Sequence, residues 1–381
     1  MNVPKLRFKE FNDEWKKIQL DSFVDINPKN DSLPEQFIYI DLESVNNGIL
    51  TTRKIINKSE APSRAQRTIK ENDILYQTVR PYQMNNLFVK NFDSDYPYIA
   101  STGYALLRTK ENPYFVYSIL YQKSFVNKVL DMCTGTSYPA ISANDLGTIT
   151  VGLPSLKEQE KISKTLELLD KKIELQSKKI EALKLFKKGL HDKLFNEVTG
   201  NDYLLSDIAV FENGKGHENI VDENGKYILI NSKFISTEGN VIKKCSEQLT
   251  PLFKNDITMV MSDLPNGKAL AKCYYIDENN KYSLNQRICK IKVKDDSIIN
   301  SKYLFYLLNR NSYYLRFDDG VNQTNLKKDD ILSLNLVLPS IKEQERDSKT
   351  LTIIDNFIEK ENNKLSKLFL LKKGLMQSMF V

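Results

Sequence analysis

The chain has 381 residues, 41% of them hydrophobic and 27% charged, which is enough for two or three domains with cores of their own. Its 55 Lys and Arg residues exceed its 49 Asp and Glu residues, so the net charge of +6 permits a polyanionic partner without demonstrating one. The sequence contains no long apolar run and its N-terminus has no apolar signal core, so we expect a cytoplasmic protein without a membrane span.

Histidine and cysteine are too scarce and too scattered for the common catalytic and metal-binding sites. The two histidines are His191 and His217, and the four cysteines form no Cys-x-x-Cys pair. A zinc site, a disulfide framework and a histidine-activated nucleophile are therefore not expected. The sequence also has no Walker loop, and Asn112-Pro113-Tyr114-Phe115 lacks the second proline of the base-holding loop of DNA methyltransferases. We predict no catalytic residue, no metal and no cofactor in this chain.

The first region, residues 1–152, begins with a segment of residues 1–16 and continues as a predicted mixed α/β domain. A β-rich run at 37–40 and an apolar helix at 114–121 lie between turn residues. Eight basic residues and three acidic residues occur between 51 and 90. Because Arg binds guanine, Asn and Gln bind adenine and Lys neutralises phosphate, this stretch predicts contacts with DNA. The candidates are Arg53, Lys54, Arg64, Arg67, Gln77, Arg80, Tyr82, Gln83 and Asn85.

The next region, residues 153–198, is predicted to be one long amphipathic helix. Ser155 and Glu158 have the spacing of a capping box at its start. Apolar residues then follow the alternating spacing of four and three that is typical of a coiled-coil seam, interrupted only by Gln176 and Lys187. The seam residues are Ile162, Leu166, Leu169, Ile173, Ile180, Leu183, Leu190 and Leu194.

A second mixed α/β domain is predicted for residues 199–337, with β-rich runs at 227–230 and 288–293 and a helix at 302–308. Thirteen basic residues and nine acidic residues lie between 214 and 294. Exposed polar loops without a ligand have a similar composition, so composition alone leaves that interpretation open. The candidates for DNA contacts are Lys215, Lys233, Lys244, Asn266, Lys268, Asn285, Gln286 and Arg287.

The last region, residues 338–381, repeats the first helix at an offset of 185. The octapeptide at 153–160 returns at 338–345 with one change, Leu156 to Ile341, and Lys-Lys-Gly-Leu at 187–190 returns at 372–375. Such helices cannot bury their seams alone, so we predict an antiparallel coiled coil in a pseudo-twofold tandem repeat of α/β class. The alternative is that each seam packs on its own globular neighbour. The second seam consists of Leu351, Ile354, Ile358, Leu365, Leu368, Leu375 and Met379.

The repeat also predicts where the chain ends meet. Phe380 is equivalent to Phe195, and the chain after Phe195 continues into 196–204, the equivalent of residues 11–19. We therefore expect the N- and C-terminal segments to be neighbours.

The doubled Leu-Pro-x-x-x-Glu-Gln helix that closes with Lys-Lys-Gly-Leu resembles the specificity subunit of type I restriction-modification systems, over essentially the whole chain. The resemblance implies two target recognition domains, 1–152 and 199–337, each reading one part of a bipartite, asymmetric double-stranded DNA site. It implies that the helices set the spacing and bind two modification subunits, which are adenine-N6 methyltransferases. Restriction subunits would join for ATP-dependent cleavage and translocation. S-adenosylmethionine, ATP and Mg would belong to those partner subunits.

In that family a loop rich in Gly, Ser and Thr ahead of the Leu-Pro motif lies near DNA. The matching residues after Gly135 and Gly320 are Thr136, Ser137 and Tyr138, and Asn322, Gln323 and Thr324. The second loop departs from the pattern because Val321 and Asn322 follow its glycine. A coiled-coil adaptor whose globular halves bind proteins is the alternative function.

Overall fold

The computed structural model describes residues 3–29, 32–46, 48–91, 94–135 and 137–381. The chain divides into two compact units. The first unit holds the chain up to Lys178 together with Asn362–Val381, and the second holds Lys179–Glu361. Both boundaries fall inside the two long helices, so each unit contains one half of each helix.

The first globular region is built from short strands and three short helices. Its strands are β1 (Lys16–Gln19), β2 (Val24–Ile26), β3 (Gln36–Ile40), β4 (Val45–Asn46), β5 (Ile49–Leu50), β6 (Lys54–Asn57), β7 (Ala65–Thr68), β8 (Ile74–Gln77), β9 (Leu87–Phe88), β10 (Tyr98–Ser101), β11 (Tyr104–Thr109) and β12 (Thr150–Leu153). Its helices are α1 (Pro113–Ile119), α2 (Lys123–Met132) and α3 (Ala143–Thr148), followed by the long helix α4 (Leu156–Asn196). Single 3₁₀ turns occur at Leu20–Ser22, Lys58–Glu60 and Pro81–Gln83.

The second globular region follows the same plan. Its strands are β13 (Asn201–Leu204), β14 (Ala209–Asn213), β15 (Tyr227–Ile230), β16 (Lys244–Cys245), β17 (Ile257–Val260), β18 (Ser262–Asp263), β19 (Cys273–Tyr275), β20 (Tyr282–Leu284), β21 (Ile288–Val293), β22 (Thr324–Asn325) and β23 (Asn335–Leu338). Its helices are α5 (Leu205–Ile208), α6 (Ser232–Ser236), α7 (Ser301–Leu308), α8 (Ser312–Leu315), α9 (Lys328–Leu332) and the long helix α10 (Ile341–Ser378), with a 3₁₀ turn at Glu218–Ile220.

Sheet topology extends the repeat into the globular regions. In the first unit one sheet has the order β6-β3-β10-β7 and another the order β2-β11-β8-β9. The second unit has the corresponding orders β16-β15-β20 and β14-β21-β17-β19. In each unit the first of these sheets contains a parallel pair, β3 with β10 or β15 with β20, and its other described pairs are antiparallel.

The short ribbon before each long helix repeats residue for residue. Strand β1 pairs with β12 so that Lys16 lies opposite Leu153, and β13 pairs with β23 so that Asn201 lies opposite Leu338. Both positions differ by the sequence offset of 185. The predicted mixed α/β tandem repeat with two long helices is confirmed.

The long helices run antiparallel to each other within each unit. In the second unit Lys179 Nζ lies 2.8 Å from Glu361 Oε1, and Lys187 Nζ lies 2.5 Å from Asp355 Oδ1. The equivalent pair in the first unit is Lys372 with Asp170. The polar residues that interrupt the predicted seam at Lys187 and Lys372 therefore form ion pairs across it.

Every predicted seam residue is buried or half-buried. Ile162 and Leu166 belong to the core of the first globular region, together with Met379 and Phe380. In the first unit the seam thus packs on its globular neighbour at one end, as the alternative interpretation expects. Toward the middle of the helices the described links between α4 and α10 include the ion pairs of Lys179 with Glu361 and of Lys187 with Asp355.

The chain ends are neighbours in the first unit, as the repeat predicts. The amide of Leu6 donates to the carbonyl of Ser378 at 2.8 Å, and the rings of Trp15 and Phe380 meet edge to face.

Of the two predicted capping boxes, one is present and the N-terminal segment changes the other. The Glu343 carboxylate accepts hydrogen bonds from the amide and hydroxyl of Ser340, as a capping box requires.

The prediction that the Glu158 carboxylate accepts a hydrogen bond from the amide of Ser155, the cap residue, is wrong. The buried Glu158 carboxylate instead accepts two hydrogen bonds of 2.8 Å from the Arg7 guanidinium. A bidentate charged partner is stronger than a neutral amide and takes its place.

The Gln of the repeated motif joins each long helix to the helix at the heart of its globular region. Gln344 is fully buried, and its Nε2 donates to the carbonyls of Pro339 and Ile298 at 3.0 Å. Its Oε1 accepts from the amide of Asn300, whose own side chain caps α7.

Gln159 repeats this arrangement in the first unit. Its Nε2 donates to the Pro154 carbonyl and to Glu111, and its Oε1 accepts from the amide of Asn112, the cap of α1.

We predict that Gln344→Met lowers the free energy of unfolding by several kcal/mol, because methionine matches the size but leaves buried carbonyls and an amide unpaired, at about 1–3 kcal/mol each. Urea unfolding followed by circular dichroism measures the change. Gln377→Met, at an exposed position of α10, is the matched control. Equal midpoints for the two variants would contradict the role assigned to Gln344.

Candidate nucleic-acid interface

In the first unit two loops lie side by side at the end of strand β8. They are residues 78–86 and 134–140, called here the first loop pair. Val79 and Thr134 each bridge to Ala140, and the amide of Arg80 donates to the carbonyl of Pro139 at 2.7 Å. The Arg80 guanidinium lies 4.3 Å from the centre of the Tyr138 ring. The pair thus presents a cation stacked on an aromatic ring.

Gln77 holds the loop of residues 78–86 in place by hydrogen bonds from its buried side chain. Its side chain is fully buried, and its Nε2 donates to the carbonyl of Val79 and to Oε1 of Gln83 at 2.7 and 2.8 Å. Its Oε1 accepts from the amide of Asn85. The structure therefore places this predicted DNA contact in the interior, where it positions the loop.

The loop is held in a costly backbone conformation. Arg80 and Met84 both have positive φ, +54° and +52°, in the left-handed region. Non-glycine residues in such regions cost about 1–3 kcal/mol and occur where the surroundings impose them, often at functional sites. The Gln77 hydrogen bonds provide that constraint.

A cleft of about 880 Å³ opens beside the first loop pair. It lies where the parallel strands β3 and β10 end, because Leu42 and Glu43 follow β3 and Thr102 and Gly103 follow β10. Ligands of parallel sheets commonly bind at this edge. The structure brings five predicted residues together in the cleft, namely Arg64, Arg80, Gln83, Asn85 and Tyr138.

The other predicted residues of the first unit lie elsewhere. Arg53 and Lys54 are exposed at the start of β6, which forms an edge of its sheet, whereas Arg67 lies in β7 at the opposite edge. Arg67 is half-buried, and this burial lowers the pKa of its guanidinium. Tyr82 and Ser137 are exposed within the first loop pair. Thr136 lies outside the described residues.

The second unit has an equivalent loop pair, residues 261–269 and 318–325, called here the second loop pair. Strands β18 and β22 join the two loops, and Gln323 Nε2 donates to Ser262 Oγ at 2.7 Å. Asn266 Nδ2 donates to the carbonyl of Gly320, which has a positive φ like its equivalent Gly135. Of the predicted residues here, Asn266, Lys268, Asn322 and Gln323 are exposed, whereas Thr324 is buried.

A second cleft, of about 480 Å³, lies where the parallel strands β15 and β20 end. Its position in the sheet is the same as that of the first cleft. Arg287 has a φ of +67°, again in the left-handed region. The lining residues are Asn231, Ser232, Lys233, Lys243, Asn285, Gln286 and Arg287.

This cleft brings together four of the predicted residues, Lys233, Asn285, Gln286 and Arg287. Sequence reasoning missed Lys243, although its neighbour Lys244 was a candidate; Lys244 is exposed in the edge strand β16. Lys215 is exposed and bridges to Asn285, beside the cleft.

Within the described ranges, no group of three or more His, Cys, Asp or Glu side chains is arranged to hold a metal ion. The helices in those ranges are all too short or too polar to cross a membrane.

Comparison with known proteins relates this architecture to one family. The sequence model described as "Type I restriction modification DNA specificity domain" matches residues 12–185 and again residues 200–369. The type I restriction enzyme HindI specificity subunit of Haemophilus influenzae is 28% identical over 181 residues, which are 45% of this chain and 38% of that protein. The match thus spans well under half the length of this relative.

Two solved structures share the fold. The type I restriction-modification S subunit from M. genitalium superposes with a TM-score of 0.63 at 18% identity, over 100% of this chain and 99% of that one. A chain from a study of complex assembly and conformational transition of the type I R-M system gives 0.58 at 19% identity, over 95% and 96%. The two family matches correspond to the two halves of the repeat, and the chain therefore belongs to the type I restriction modification DNA specificity family.

Proposed function

We propose that this chain is the DNA-recognition subunit of a type I restriction-modification enzyme and works in the cytoplasm. Residues 1–152 and 199–337 are its target recognition domains, and 153–198 and 338–381 are its spacer helices. The observation that carries the proposal is that each unit has a loop pair and a cleft at the same place in the sheet, built from different side chains. One shared frame with two different linings suits a bipartite, asymmetric DNA site.

The chemistry of the clefts fits base edges and phosphates. Arg80 and Arg64 offer the forked donors that bind guanine, and Gln83 and Asn85 offer the amides that bind adenine. In the second unit Arg287 and a different set of amides and lysines do so. Because the backbones of Arg80 and Arg287 are already constrained, little backbone conformational entropy is lost when these residues bind.

The long helices carry surfaces suited to two copies of one partner. In the first unit Leu168 and Leu371 are exposed, and in the second unit their equivalents at the offset of 185, Ile353 and Phe186, are exposed. The seam spacing places Leu168 on the side of α4 away from Asp170, which receives a hydrogen bond from Tyr114 of the globular region. Each unit thus has two exposed apolar side chains on its long helices, called here its apolar patch, that its own globular region leaves uncovered.

We assign these two patches to two modification subunits, each an adenine-N6 methyltransferase. Equivalent surfaces made twice from a repeated helix require a partner that is itself present twice. Chemistry that needs S-adenosylmethionine, ATP or Mg belongs to the modification and restriction subunits in this proposal, and this chain supplies sequence recognition.

A gel-shift assay at two salt concentrations tests DNA recognition and separates it from the adaptor alternative. Binding through several phosphates weakens steeply with salt. The logarithm of the binding constant falls with the logarithm of the salt concentration, with a slope of about −0.9 per phosphate contacted. We expect the complex of this chain with its modification subunits to bind its methylome-defined duplex with such a slope. A protein adaptor would show no preference for that duplex over a scrambled one.

Replacing one arginine should relax only one part of the site. We expect Arg80→Ala to weaken binding by about 1–3 kcal/mol if it meets a guanine, and to lose discrimination in one half-site. Arg287→Ala should act on the other half-site. Lys58→Ala, at an exposed position after β6, should weaken binding to all sequences alike if Lys58 meets a phosphate. If either arginine variant lost discrimination in both half-sites, the proposal that each unit reads one half-site would be contradicted.

Removing one apolar patch should remove one partner. The pair Leu168→Ser and Leu371→Ser should give a complex with one modification subunit, and the pair Ile353→Ser and Phe186→Ser should do the same. Each buried side chain of this size contributes about 1.5–3 kcal/mol. Native mass spectrometry counts the subunits, and Val210→Ser, at an exposed aliphatic residue of the edge strand β14, is the control. Two subunits bound to every variant would refute the assignment.

A further inference from the structure

The second loop pair carries two large apolar side chains at its surface. Leu264 and Val321 are 69% and 76% exposed, although each lies in a turn where polar residues or glycine are usual. One belongs to each loop, and Asn266 joins the two loops through the carbonyl of Gly320. The chain therefore places an aliphatic pair where folding gives it no partner among the described residues.

Hydrogen bonds to the backbone hold both turns in place. Asp263 Oδ2 accepts from the amides of Ala269 and Leu270 at 2.7 and 3.1 Å. Asp319 Oδ1 accepts from the amides of Val321 and Asn322 at 2.9 and 2.8 Å.

These amides lower the pKa of Asp319 to about 2, so its carboxylate is committed to the turn at neutral pH. The two apolar side chains are thus presented by ordered turns.

The first loop pair has the same frame but a different surface. There Arg80 stacks on Tyr138, and both can hydrogen-bond. At the second loop pair Leu264 and Val321 can make only apolar contacts, while Lys268 and Asn322 beside them are exposed and polar. The two loops also contain three aspartates and one lysine, and the aspartate carboxylates accept hydrogen bonds from amides of the same loops. The partner of this surface must offer an apolar slot flanked by hydrogen-bonding groups.

Duplex DNA offers that combination between adjacent base pairs, where stacked bases are apolar and phosphates lie on either side. Proteins that insert Leu, Ile or similar side chains at a base step unstack it and kink the duplex. We propose that Leu264 and Val321 form an apolar wedge that enters one base step of the half-site recognised by the second unit. This inference rests on the proposed function and gives the second half-site a recognition mode that the first half-site lacks.

An apolar wedge would favour DNA sequences whose base steps deform easily. Pyrimidine–purine steps unstack most easily, so such a step is favoured at the wedge without any hydrogen bond to its bases.

The test uses the full chain with its modification subunits and a duplex of the site found by methylome sequencing. 2-Aminopurine, which brightens when unstacked, replaces one base at a time along the second half-site. The adenine to be methylated and its two neighbours are left out, because base flipping by the modification subunit unstacks them without a wedge. We expect a rise in fluorescence at one step on binding. Leu264→Ser with Val321→Ser should abolish the rise and weaken binding about tenfold or more.

Val210→Ser is the matched control, because Val210 is an exposed aliphatic residue of the same unit in the edge strand β14. Absence of duplex binding by the unaltered complex would overturn the proposed function itself. Tight binding without a fluorescence rise at any position would overturn the wedge alone. So would serine variants that bind and brighten as the Val210→Ser control does.

Discussion

The architecture depends on two buried carboxamides, Gln159 and Gln344. Each one satisfies the carbonyl of the proline ahead of a long helix and the amide of the asparagine that caps a globular helix. These partners are backbone atoms, so the connection between each long helix and its globular region does not depend on the side chains that line the clefts. This separation explains how the helices can remain nearly identical while the globular regions differ.

Much of this structure could be predicted from the sequence, because the repeat and the seam are patterns of the sequence itself. The predicted strands at 227–230 and 288–293 and the helix at 302–308 agree with β15, β21 and α7 to within one residue. Other features depend on residues far apart in the chain. No local spacing indicates that Glu158 will pair with Arg7 instead of its own cap. Nor does any local spacing indicate that Gln77, a predicted DNA contact, will be buried beneath the neighbouring loop.

The candidate interface shows the same limit. Composition indicated the candidate stretches, and the structure gathers nine of the predicted residues into two clefts. Which amide faces outward depends on how strands β3 and β10, or β15 and β20, end beside a loop from another part of the chain. The positive φ at Arg80 and Arg287 likewise leaves no mark on the sequence. The two loop pairs therefore differ in what they present while agreeing in how they are built.

The division of the chain also orders its biosynthesis. The second unit, Lys179–Glu361, is continuous, so all of its contacts are available once Glu361 has been made. The first unit is interrupted, because its core includes Met379 and Phe380 against Trp15. The half of the protein that is synthesised first is consequently completed last, and damage at the C-terminus of the chain falls on the domain at its N-terminus.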